Sequence, residues 1–129
     1  MPRVCCLAAI APENTALLSA ALTEAGEPIL SIVGRLDVVE LAKLSPDLLV
    51  ADLDQIQVDP FEMLRRIRFV LPNCVVAVYT AASKLSWGRE CHLAGANCLL
   101  SKNSQESELA TGLRSAIRSG CFTDPRLVA

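Results

Sequence analysis

The chain is 129 residues long, 52% apolar, 4% aromatic and 20% charged. That length suits one domain and leaves no room for two of ordinary size, and the apolar fraction excludes disorder over most of the chain. Twelve Lys and Arg against 14 Asp and Glu give a net charge of −2, so the surface as a whole is not that of an electrostatic nucleic-acid binder.

No apolar run approaches the roughly 20 residues a membrane helix needs. The longest, residues 4–11, has only Arg3 before it and no small-residue cleavage site after it, so a signal peptide is not expected and the protein reads as cytoplasmic. Of six cysteines, Cys5, Cys6, Cys74 and Cys98 fall inside or beside apolar runs and read as small buried hydrophobes. Cys91 and His92 lack the further ligands a metal site requires, His92 being the single histidine.

In chain order, residues 4–7 form a short uninterrupted apolar run, expected as a buried strand. Pro12 opens a helix whose apolar face is Leu17, Leu18, Ala21, Leu22 and Ala25, ended by Gly26. Residues 29–33 read as a second strand, and Leu36, Val39, Leu41 and Leu44 as a helix stopped by Pro46. Residues 48–51 are a third buried strand running into Asp52, Leu53 and Asp54. After a polar loop, Asp59, Pro60 and Glu62 spell a helix start with a capping box. Phe61, Leu64, Ile67, Phe69 and Leu71 are its expected buried side, and Pro72 ends it. A fourth strand spans 75–79 and ends at Thr80. A short helix over 87–94 closes at Gly95, with Ser83 and Ser86 as loop or cap residues before it. A fifth strand covers 98–100, followed by Ser101 and Lys102. Leu109, Leu113, Ala116 and Ile117 line a last helix capped by Gly120.

Continuous apolar strands alternating with amphipathic helices predict an α/β fold: a doubly wound five-stranded parallel sheet with five helices and its site at the carboxyl ends of the strands. There Asp52, Thr80 and Lys102 converge. A carboxylate accepts a phosphoryl group, an ammonium pairs with phosphoryl oxygens and a hydroxyl donates to a third. The residue types alone equally fit a plain Asp52–Lys102 ion pair holding two loops together. Arg65, Arg66 and Arg68 read as a solvated basic face.

The segments PDLLVADLDQIQVDPFEML (46–64), VVAVYTA (75–81) and LAGANCLLSKNSQESELATGLRSAIRSG (93–120) resemble the receiver domains of bacterial two-component response regulators. Lys102 followed by Asn103, and the ending GCFTDPRL (120–127), look like the LuxR-type (NarL/FixJ) branch. The resemblance implies a flavodoxin-like receiver domain over 1–120, with 121–129 a tail or the start of a linker. It makes Asp52 the phosphoacceptor candidate and Thr80 and Lys102 the switch and phosphate-contact candidates. Its partners would be a histidine kinase or other regulatory protein and a second copy of the chain, with no nucleic acid or membrane bound directly. The implied role is a switch in signal transduction and transcription regulation, not turnover chemistry.

The departures are specific. The family places two adjacent acids just after the first strand to hold Mg²⁺, whereas residues 8–11 are Ala-Ala-Ile-Ala. Asp54 stands where the family mainly uses a backbone carbonyl, Leu99 replaces an aromatic switch residue, and Ile56 and Gln57 replace the usual proline and glycine. With Asp52 and Lys102 alone the pocket would be formally neutral. Mg²⁺ then has little to hold it, since it wants one or two carboxylates at least. The expectation is an atypical receiver without a resident cofactor and with impaired Mg²⁺-dependent phosphorylation. Asp54 and Glu13 are the remaining metal-ligand candidates, and Trp87 and Leu99 the interface candidates. Two alternatives stand beside it: a working Mg²⁺-dependent phosphoacceptor at Asp52, and a pseudo-receiver sensing a small molecule in the same cleft.

Overall fold

A computed structural model describes residues 4–27, 31–81 and 87–127. The expected strand start at Ile29, the serines Ser83 and Ser86 and the last two residues of the expected tail lie outside them. The elements are β1 (Cys5–Ala8), α1 (Pro12–Glu24), β2 (Ser31–Val33), α2 (Val38–Leu44), β3 (Leu48–Ala51), α3 (Pro60–Val70), β4 (Val75–Thr80), α4 (Trp87–Leu93), β5 (Cys98–Ser101), α5 (Glu106–Ser119) and β6 (Phe122–Thr123), then a 3₁₀ turn, Pro125–Leu127. All strand pairs are parallel, in the order β2-β1-β3-β4-β5-β6.

The strands alternate strictly between two cores. Cys6, Ala8, Leu49, Ala51, Val76, Val78 and Leu99 face Leu41, Leu64, Ile67 and Cys91 on the side of α2, α3 and α4. Cys5, Leu7, Leu48, Val50, Ala77, Tyr79, Cys98 and Leu100 face Leu18, Leu22, Leu109 and Leu113 on the side of α1 and α5. Period-two alternation with both faces covered explains why the strands read as unbroken apolar runs. The four strand-associated cysteines are buried as expected, Cys91 joins them and Cys121 is exposed. Burial pushes the Cys6 thiol up to about 11 and those of Cys74 and Cys91 up to about 12, which leaves them inert at neutral pH.

Local chemistry sets the helix ends. Asp59 accepts from the Phe61 N–H at 2.8 Å, with Pro60 in the first turn of α3. Asp37 does the same for α2, accepting from Val39 at 2.9 Å. Glu62 does not close the expected capping box; its carboxylate turns to Arg65 and Arg66 at 3.3 and 3.4 Å on the exposed face. Glu108 takes that role in α5, accepting from the Gln105 N–H at 3.0 Å, and Gly120 ends the helix with φ +82°.

Three expectations are corrected. Phe69 is 86% exposed, because two residues beyond Ile67 is about 200° around a helix and points it away from the core. Arg68 is no solvated surface charge. Its guanidinium donates to the carbonyls of Cys74 (2.7 Å), Gly95 (2.7 Å) and Leu71 (3.0 Å) and to Asn97 Oδ1 (2.6 Å), bracing the end of α3 against the loop before β5. The sheet has six strands rather than five.

That sixth strand comes from the expected tail. Phe122 donates its N–H to Asn97 O and Asp124 to Leu99 O, both at 3.0 Å, which adds β6 to the free edge of β5. Gly112 permits the approach, since a Cβ there would stand 2.6 Å from the Phe122 ring. Asp124, only 4% exposed, accepts from Ser104 Oγ at 2.7 Å, and Arg126 bridges Asp124 and Glu108 at 3.1 and 2.7 Å. Leu127 is buried in the core on the α4 side. Residues 122–127 are thus packed structure. A chain ended at Gly120 is expected to lose about 2–4 kcal/mol relative to one ended at Leu127, the contribution of one buried leucine, a half-buried phenylalanine ring and two ladder hydrogen bonds. Urea denaturation of the two chains measures the difference, and equal midpoints and slopes would contradict the packing described.

Candidate functional site

The topology reverses between β1 and β3, and the crevice this leaves at the carboxyl ends of the strands is where open α/β sheets place their sites. Register brings the ends level: Ala8 pairs with Ala51, Ala51 with Val78, and Thr80 with Ser101. Side chains just past these positions, far apart in sequence, therefore share one small space.

Asp52 follows β3 directly and is only 6% exposed. Its Oδ2 is 2.7 Å from Lys102 Nζ, and its Oδ1 accepts the Asp54 N–H at 2.9 Å. The second bond is an Asx turn, which an Asp side chain forms readily two residues upstream of the N–H it accepts. It folds the chain so that the Asp54 carboxylate swings across to β4. There Asp54 Oδ1 accepts from the Thr80 hydroxyl at 2.7 Å, and Oδ2 accepts from the Ala81 N–H at 2.9 Å and from Lys102 Nζ at 3.0 Å. Lys102 stands at the end of β5, its N–H bonded to Thr80 O at 2.9 Å, with Nζ 6.0 Å from the centre of the Tyr79 ring. The structure thus brings Asp52, Thr80 and Lys102 together, the three residues the sequence singles out, and joins them as a plain Asp52–Lys102 ion pair with Asp54 at its side.

Asp54 is the residue the sequence undervalues. It appears there as a weak metal ligand, yet its side chain has more polar partners than any other at the site. With Asp52 and Asp54 against Lys102, the formal charge is −1, not the neutral balance expected. The available signal was Asp-x-Asp at a strand end: the first carboxylate caps the second residue's N–H, and a carboxylate left over beside a lysine needs further donors. Burial alone would raise the Asp54 carboxyl; the Ala81 N–H, the Thr80 hydroxyl and the Lys102 ammonium outweigh it and hold it below its ordinary value. Burial alone would lower the Lys102 ammonium, and the two carboxylates outweigh it and raise that group.

In this arrangement Mg²⁺ would have to displace the Lys102 ammonium to reach Asp52 and Asp54. The cation position between the two carboxylates is taken by the Lys102 ammonium, and all four carboxylate oxygens already accept hydrogen bonds. Ala8 and Ala9 stand at the end of β1, and Ala9 has φ +59°, a left-handed conformation uncommon for a residue with a Cβ. Glu13 is exposed in the first turn of α1, and among the described residues no three His, Cys, Asp or Glu are grouped to hold a metal ion. His92 bridges Ala96 O at 2.8 Å and Thr123 Oγ at 2.7 Å, while Cys91 is fully buried.

The two interface candidates differ. Trp87 is half-buried, its ring 6.1 Å from that of Phe61 and tilted by 54°. Leu99 is fully buried: its Cδ1 lies where a Cβ on Gly88 would come within 3.0 Å, so it presents no surface to a partner. A residue at that register of β5 faces the α4 side and is covered there.

With this geometry in hand, the chain is recognised as having the fold of response regulator receiver domains. It is similar to the isolated receiver domain of RcsB from Salmonella enterica serovar Typhimurium, solved with phosphomimetic BeF₃⁻ (TM-score 0.81, 15% identity, covering 98% of this chain and 96% of that one). It is similar also to a LuxR-family two-component response regulator from Aurantimonas sp. SI85-9A1 (TM-score 0.79, 20% identity, 98% and 93% covered). A response regulator from Thermotoga maritima matches at TM-score 0.78 with 18% identity (92% and 100% covered). No family model and no curated protein sequence matches the chain. Among the described residues no helix is long and apolar enough to cross a membrane.

The pocket's charge balance predicts a pH signature. Lys102→Met leaves two carboxylates without their cation. Breaking a buried pair costs about 3–5 kcal/mol, and partial exposure of Lys102 reduces this to about 2 kcal/mol at pH 7. The deficit narrows as pH falls. In the native protein Asp54 has a depressed pKa, so its contribution is present above the ordinary carboxylate value of 3.8 and is lost as pH drops through the folded value. In the variant the Asp54 carboxyl loses its Lys102 partner and takes up a proton sooner. Urea midpoints of the two proteins at pH 7 and pH 3.5 measure this, and a deficit that widens in acid would contradict the charge arrangement.

Proposed function

We propose that the protein is an atypical receiver domain of the response regulator kind, a switch that acts on a partner or on a DNA-binding output through protein–protein contacts. Its Mg²⁺-dependent phosphorylation at Asp52 is impaired. The observation that carries this reading is the pairing of Lys102 Nζ with both Asp52 and Asp54, at 2.7 and 3.0 Å, beside a first strand that ends in alanines. Phosphoryl transfer depends on neutralising the charge that develops on the transferring oxygens, and a metal ion ordinarily does so. Among the described residues, the ammonium at these carboxylates is that of Lys102, already shared by both. On this reading Asp52 is the phosphoacceptor position, and both its oxygens are engaged, by Lys102 and by the Asp54 N–H.

The same reading covers the remaining expectations. The domain is a non-enzymatic signalling module of the cytoplasm, with no resident cofactor. Its partners are a histidine kinase or another regulatory protein and a second copy of itself, and it touches neither nucleic acid nor membrane directly.

Incubation with acetyl phosphate and millimolar Mg²⁺, read by Phos-tag electrophoresis and intact mass, is expected to give no phospho-species. Mg²⁺ titration is expected to leave the fluorescence of Trp87, the single tryptophan, unchanged. A phospho-species that forms with Mg²⁺ and disappears in Asp52→Asn would overturn the reading and favour a working phosphoacceptor. A small molecule retained in native mass spectrometry of the purified protein would favour the ligand-sensing alternative.

A further inference from the structure

Three donors of different kinds aim at one carboxylate. The Thr80 hydroxyl and the Ala81 N–H come from the end of β4 and the Lys102 ammonium from the end of β5. All three reach Asp54, at 2.7, 2.9 and 3.0 Å. A backbone N–H, a hydroxyl and an ammonium converging from separate strands select negatively charged oxygens in general. Nothing in that set is particular to a side chain from the same protein.

We propose that the Asp54 carboxylate is the built-in occupant of the oxyanion-selecting cradle these donors form, and that it excludes a free oxyanion of the inorganic phosphate class. The proposal rests on the receiver reading above for its location, and it adds why the site is closed. A group tethered two residues from its anchor competes at an effective concentration on the order of millimolar or above. The Asx turn to Asp52 at 2.9 Å raises that further by holding the carboxylate in place. Free phosphate must displace this group and then sit beside a second carboxylate, Asp52, whose Lys102 partner it would have to share. The end of β4 is therefore held by Asp54 itself, with no ligand added.

The test is a titration of uniformly ¹⁵N-labelled protein with inorganic phosphate at pH 7, without Mg²⁺ and at constant ionic strength with chloride as the matched salt. The readout is the Ala81 amide. Asp54→Ala takes the formal pocket charge from −1 to zero and leaves the Asp52–Lys102 pair intact. The expected result is a saturable Ala81 shift in Asp54→Ala, with apparent affinity at least about tenfold tighter than in the native protein. Adding Lys102→Met to Asp54→Ala is expected to abolish it. Asp54→Asn, of nearly the same shape, carries the test if the alanine variant unfolds. The proposal is overturned if both Asp54 variants respond no more than the native chain. It is overturned equally if the double variant binds as well as Asp54→Ala, the mark of an adventitious ion only, or if neither variant folds, which would make Asp54 a structural strut and no occupant. Phosphorylation of Asp52 plays no part in this readout, so a phospho-species in the earlier experiment and a failed titration here are separate outcomes.

Discussion

Burial of the sheet on both faces is the constraint from which the rest of this molecule follows. From Cys5 to Ala8, Leu48 to Ala51, Val76 to Thr80 and Cys98 to Ser101, every strand residue is buried. Each interior backbone group is spent in a parallel ladder, and a polar side chain there would have no partner. Polar chemistry is confined to the positions where the strands stop. The doubly wound order brings β3, β4 and β5 to adjacent stops, so Asp52, Thr80 and Lys102 meet although 50 positions separate the first from the last.

At those stops the tie is electrostatic and has a direction. Lys102 links the end of β5 to β3 through Asp52 and Asp54, and Asp54 links β3 to β4 through Thr80 and Ala81. One three-residue stretch thus fastens three strand ends. Buried ion pairs rarely add much net stability, because desolvation offsets their attraction, but they cost a great deal when half removed. Such a cluster is better at fixing one arrangement than at deepening its well.

The fold was legible because the sheet is buried on both sides: continuous apolar strands flanked by Pro and Gly left little ambiguity, and the Asp59-Pro60 helix start and the Gly120 cap lie where local chemistry puts them. The departures have both local and non-local causes. Glu62 had the spacing of a capping box and found two arginines instead. Arg68 matches its neighbours in type, yet five carbonyl and amide oxygens from 71 to 97 lie within its reach. Phe69 is turned outward by the helix period itself, two residues past the buried Ile67. Of the site, Asp52 and Lys102 could be placed by strand position, whereas the role of Asp54 depends on a turn that only tertiary geometry brings against β4.

The last strand shows the same logic at the sheet's edge. An unpaired parallel edge is a template for another chain, and short or covered edges are the usual remedy. Residues 122–127 cover β5 with a strand of only two residues and then turn away at Pro125. Proline has no N–H to offer the ladder, so β6 cannot lengthen past the turn. Leu127 returns over α4, where its carbonyl lies 3.3 Å from the place a Cβ on Gly88 would occupy, so both ends of the covering segment are pinned. A partner approaching this edge meets β6, the Arg126 side chain and the outer face of α5, while Leu99 stays beneath them. Substitution at Leu99 would then reach such a partner only through repacking of Gly88 and Leu127. Of the polar cluster at this edge, Arg126 and Glu108 face solvent, while Ser104 and Asp124 are buried beneath them.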